Sequence, residues 1–177
     1  VANDSRVTMG TGAVEARTVS LAGSSSLAAT TNMNLTASEQ LVVASASRLQ
    51  AAAGRVASPV IQVRDSSSLV GDDVLAYGSA KHGCSVSASS QVSVAATSLR
   101  LDSRDGANCT LLAQDRANVS STRFSFDGAR ADITSASVLT AQLVSFKGIT
   151  LSVANDSRVT MGTGAVEART VSLARSS

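Results

Sequence analysis

The chain has no tryptophan, one proline, one histidine, two cysteines and only 2% aromatic residues. So few large flat side chains argue against a core assembled as a jigsaw of bulky groups, and a lone Pro59 excludes a proline-rich linker. No apolar run approaches the roughly 18 to 20 residues that a membrane-spanning helix needs. The cysteines lack C-x-x-C spacing and the sequence has no Cys/His cluster, which leaves no zinc-ligand set. An excess of one charge is also missing. The 15 basic residues are interspersed with 13 acidic ones for a net charge of +2, so no basic face is available for nucleic acid.

What is present is small and repetitive. Hydrophobic residues make up 44% of the chain, mostly Ala and Val, accompanied by 31 Ser and 15 Thr. That is enough to bury a core, and it is spread too evenly for disorder. Small and β-branched side chains suit a narrow interior built from strands. Segments of alternating character recur, among them RVTMG from Arg6, QLVVAS from Gln40, SVSAS from Ser85, RFSFDG from Arg123 and ITLSVA from Ile149. Each has the length and patterning of a strand. Between them lie NDS, RDSSS, SRDGAN, QDRAN and FDGAR, whose side chains favour turns by bonding to nearby backbone. The stretch from Thr36 also carries a capping-box pair, Thr36 with Glu39, but its Ser and β-branched content favours strand over helix.

A slower rhythm overlies the strands. Apolar residues that follow polar turns fall at Val7, Leu27, Leu49, Leu69, Val92, Leu111 and Ile133, in steps of 20, 22, 20, 23, 19 and 22. Such a period signals a stacked repeat, and about 22 residues divided into short strands fits one coil of a parallel β-helix. The sequence also repeats at long range: residues 1–25 return as residues 153–177 with 24 identities, Gly23 against Arg175 being the exception. Residues 1–152 therefore read as one full unit of seven turns, and residues 153–177 as the start of the next. About eight coils at ~4.8 Å each would form a rod on the order of 40 Å long. The absence of an initiator Met and of any terminal cap suggests an interior piece of a longer array.

Few residues invite chemistry. Five of the six asparagines open an N-x-S/T triplet: Asn3, Asn34, Asn108, Asn118 and Asn155. They are N-glycosylation candidates for a secreted protein, against the plainer reading that Asn shares turns with Ser and Thr. Cys84 and Cys109 are separated by close to one coil plus a small bulge, and are a disulfide candidate between adjacent coils. The alternative is two buried thiols. His82 stands two positions from Cys84, too close along one segment for a Cys-His couple, and no orienting acid is evident. Asp72 and Asp73 make a weak cation site at best. No catalytic residue, cofactor site or metal site is expected.

With its coils of about 22 residues, its SQVSVAATSLRLDS-type alternation and its near-identical long unit, the chain resembles the right-handed parallel β-helices of the pectin-lyase-like group. The likeness is greatest to the tandem solenoids of microbial surface adhesins and extracellular fibres. It departs from the pectin-degrading enzymes, whose clustered aspartates, arginine and aromatic sugar platforms have no counterpart here. The resemblance implies extracellular scaffolding. The repeated unit makes further copies of itself the expected partners, joined in a covalent array or stacked end to end into a filament, with surface glycans besides. A carbohydrate-binding or carbohydrate-cleaving β-helix is the alternative.

Overall fold

The computed structural model describes residues 4–78, 83–103 and 108–174. The described residues are all-β, and their twelve strands pair only in parallel, each coil lying on the one before. Strands β1 (Arg6–Leu21), β2 (Ser26–Val43), β10 (Asn118–Ile133), β11 (Val138–Ala154) and β12 (Arg158–Ala174) each run through a whole coil. The intervening coils are divided into β3 (Arg48–Ala51), β4 (Arg55–Ser58) and β5 (Val60–Val63), then β6 (Ser68–Tyr77) with β7 (Cys84–Ala88), then β8 (Ser93–Asp102) with β9 (Cys109–Ala113). The architecture is a parallel β-solenoid of about eight turns. The capping-box stretch from Thr36 lies in strand β2 and the segments after it, not in a helix.

Pairing shows why several strands are longer than the sequence segments suggest. Between β10 and β11 the ladder runs Asn118 to Ser121, skips Thr122, runs Arg123 to Gly128, skips Ala129, and resumes at Arg130. Each such coil thus has three straight sides; single unpaired residues turn the corners of β1, β10, β11 and β12, and two residues turn each corner of β2. FDGAR is therefore not a turn; it crosses one corner inside β10.

The closing corner of each coil is sharper. Two successive residues take the left-handed conformation, as in Ser45-Ala46, Asp65-Ser66, Ser90-Gln91, Asp115-Arg116, Ser135-Ala136 and Asn155-Asp156, all with φ between 55° and 67°. For non-glycine residues this costs of order 1–2 kcal/mol each. The corners hold because they stack: the N–H of Ala46 donates to the Asp65 carbonyl at 2.8 Å, Gln91 to Asp115 at 2.8 Å, and Arg116 to Ser135 at 2.9 Å.

Register fixes where each coil begins. Val7, Leu27, Leu49, Leu69, Val94, Val119, Leu139 and Val159 are successive partners. The steps from each to the next are 20, 22, 20, 25, 25, 20 and 20, so seven coils do carry the chain from Val7 to its repeat counterpart Val159. Most turns stand about 20 residues apart, and the two steps of 25 bring the mean to about 22, the coil length read from the sequence rhythm. The two long coils carry their extra length between β6 and β7 and between β8 and β9.

Interior columns form one continuous core. On the first side Leu27, Leu49, Leu69, Val94, Val119 and Leu139 stack at no more than 4% exposure. On the third side Leu41, Ile61, Val86, Leu111 and Ala131 are stacked and buried. The three phenylalanines share the second side, Phe126 lying over Phe146 with ring centroids 4.7 Å apart and planes within 9°.

The duplicated stretch adopts the same segmentation twice. Strand β1 skips pairing at Gly10 and Arg17, and β12 skips it at Gly162 and Arg169, the same two positions one unit later. One local difference is at Gly164, which has φ +147°, whereas its counterpart Gly12 is not in the left-handed region.

Candidate functional site

The outward side chains of the second side carry a charged cluster. Alternation along each strand turns Val74, Leu99 and Phe124 inward, and Asp73, Arg100 and Arg123 outward. Asp73 lies between two guanidinium groups. Arg55 Nε donates to Asp73 Oδ2 at 2.9 Å, while Arg100 donates from Nη2 to Oδ2 at 2.8 Å and from Nε to Oδ1 at 3.2 Å. The Arg100 contact is bidentate, the stronger form of such a pair. Burial alone would raise the Asp73 carboxyl, but hydrogen bonds and charge from Arg100 and Arg55 outweigh it and hold the group below its ordinary 3.8.

A shallow groove of about 800 Å³ extends from this cluster across several coils, past Arg123 and Ser125 to Leu143 and Thr163. It presents guanidinium and hydroxyl donors beside Leu143, a residue that is 48% exposed. Such a surface can hydrogen-bond an oxygen-rich ligand. It offers no acid-base couple, since Asp73, the one carboxylate in its lining, is already ion-paired.

Both Asp73 oxygens thus accept from arginines. Among the described residues no group of three or more His, Cys, Asp or Glu could hold a metal. His82 lies outside the described residues.

The cysteines meet across adjacent coils. Cys84 and Cys109 are register partners opening β7 and β9, with Cα atoms 4.4 Å apart and their sulfurs joined in a disulfide. Their sequence separation of 25 is one coil lengthened by its enlarged connection. Each follows the enlarged connection of its coil, so the bridge clamps the two places where the chain returns to the sheet. Beside it Gly78 N–H donates to the Asp102 carbonyl at 3.0 Å.

Of the glycosylation candidates, Asn34, Asn108, Asn118 and Asn155 are all exposed, and Asn3 lies outside the described residues. Asn34 sits within β2, where its Oδ1 accepts the Arg55 N–H at 3.2 Å. Asn118 opens β10, and Asn155 occupies a left-handed corner with φ 55°.

The arginine-aspartate cluster was not singled out from sequence. Its partners stand at separations of 18 and 27 along the chain, and only correct coil lengths would have aligned them.

No protein-family model matches the chain, and neither a curated protein nor a solved structure matches it. The resemblance noted from sequence stands as parallel solenoid architecture, and kinship with the pectin-lyase-like group or with adhesins has no support from these comparisons.

Proposed function

We propose that this chain is a structural, non-catalytic segment of a very long secreted or cell-surface protein, serving as an extracellular fibre, stalk or adhesive rod. One observation carries the reading: a unit of seven coils, residues 1–152, is followed by the same coil again, divided at the same residues. In a solenoid each coil touches only its neighbours, so copying units adds length without redesigning a core. The Cys84–Cys109 bridge and the exposed N-x-S/T asparagines favour an oxidising, glycosylating route to the outside of the cell. Further copies of the unit are its first partners, with surface glycans as a second class.

Antibodies against the repeated coil test this on the source cells. Labelling of filaments on intact, unpermeabilised cells is expected; labelling that requires permeabilisation contradicts it.

A carbohydrate-binding module is the second reading, favoured by the hydroxyl- and guanidinium-lined groove around Arg100, Arg123 and Ser125. Screening acidic and neutral polysaccharides separates the two. Retention without cleavage supports the module, and release of oligosaccharide would overturn the non-catalytic reading.

A further inference from the structure

The repeated coil occurs twice in different company. As β1 it is covered along one edge by β2, and as β12 it is covered along the other edge by β11. Corresponding residues differ accordingly. Leu21, paired with Val43, is fully buried, whereas Leu173, the same position one unit later, is 77% exposed. Val166 and Val171 are 46% and 54% exposed, while their counterparts Val14 and Val19 pack against the core beside Leu35 and Leu41.

We infer that the outer edge of β12 is a docking edge for a segment with the sequence of residues 26–43, supplied by a following copy of the unit. The inference rests on the structural-segment reading above. The contacts are those β1 already makes: Val166 beside Leu35, Val171 beside Leu41, Leu173 beside Val43, and Arg169 reaching Glu39 as Arg17 does at 2.9 Å. The link needed is present as well, because Ala22 to Ser25, which joins β1 to β2, recurs as Ala174 to Ser177 with a single change. That change puts Arg175 at the sequence position of Gly23, φ 65°, where the other closing corners hold non-glycine residues such as Ser45, Asp65 and Ser90 at φ 57°, 58° and 67°.

Plain end-to-end stacking of two chains fits less well. It would lay the same coil on itself, with Arg158 against Arg6, Glu167 against Glu15 and Arg169 against Arg17. Like charges at directly opposed positions are destabilising. In the arrangement inferred, Glu167 keeps Lys147 as its register partner on one side and gains the equivalent of Thr36 on the other.

Hydrogen exchange on a longer chain, with residues 26–177 repeated once after Ser177, tests the docking edge. Amides of residues 158–174 should slow at least tenfold relative to the parent chain, reaching the protection of residues 118–133, which are covered on both sides. Unchanged exchange in a folded longer chain overturns the inference. If the longer chain does not fold, a synthetic peptide of residues 22–47 added to the parent chain should slow the same amides, and a peptide without effect overturns it equally. Slowing in the parent chain alone, accompanied by concentration-dependent dimers in sedimentation, would assign the edge to self-stacking instead. None of these outcomes depends on where the natural protein resides, which the antibody experiment decides separately.

Discussion

The Ser47 hydroxyl accepts the backbone N–H of Ser25 from the coil before it at 3.2 Å, while the Ser47 N–H donates to the Ser67 hydroxyl of the next coil at 3.1 Å. Ser137 and Ser157 continue the pattern, accepting from the N–H groups of Ala117 and Ser137 at 3.1 Å each. These serines, buried except for the half-buried Ser157, stand just after the left-handed corners and fasten one coil to the next. Ser47→Ala strands the N–H of Ser25 in the interior, at a cost of about 1–3 kcal/mol. Urea unfolding should show that loss, with Ser26→Ala, on an outward-facing position, within ~0.5 kcal/mol of the parent.

The left-handed corners give a prediction of opposite sign. Ala136 has φ 59° and is exposed. Glycine there removes a strain of about 1–2 kcal/mol and adds roughly 0.5–1 kcal/mol of chain entropy to lose on folding. Ala136→Gly should therefore stabilise the chain by up to about 1 kcal/mol, and Ala136→Val should destabilise it, both read from unfolding midpoints.

The disulfide closes a loop with a sequence separation of 25. Chain entropy assigns such a loop about 3.5 kcal/mol of stability. Reduction, or Cys84→Ala with Cys109→Ala, should lower the melting temperature measurably, and the untreated protein should show no free thiol on titration in denaturant.

Asp73 makes stability depend on pH in one direction. Its folded carboxyl titrates below the ordinary 3.8, so its contribution is fully present above about that pH and disappears as pH falls through the lower folded value. With both arginines about half exposed, the effect is on the order of 1 kcal/mol after solvent screening. Asp73→Asn should be less stable than the parent at pH 7, and the gap should close on acidification past the folded value. A gap that is the same at every pH would show that the ion pairs contribute nothing.

The sequence reached the fold class because alternation and polar turns survive in every coil, and it placed the first four rungs, Val7, Leu27, Leu49 and Leu69, correctly. It then lost register for a physical reason. The connections before Cys84 and Cys109 lengthen two coils without disturbing the polar-apolar rhythm. Val92 looks like the next rung, yet it occupies the position after the corner that Ser25, Ser47 and Ser67 fill elsewhere, and the true rung is Val94. Leu111 and Ile133 belong to the third side, where Leu111 pairs with Ala131 and Ile133 with Ala113. The cysteine spacing of 25 was itself the clue to the longer coil. Left-handed alanines such as Ala46 carry no local signal, because stacking against the next coil holds them in place.

The central claim is that seven coils make one unit and that units add along a single axis. Small-angle scattering from chains of one, two and three complete units measures this directly. Each added unit, residues 1–152, should lengthen the particle by ~34 Å, seven strand spacings, at constant cross-section. Particles that grow in cross-section, or that lengthen by increments unrelated to that spacing, would contradict the account.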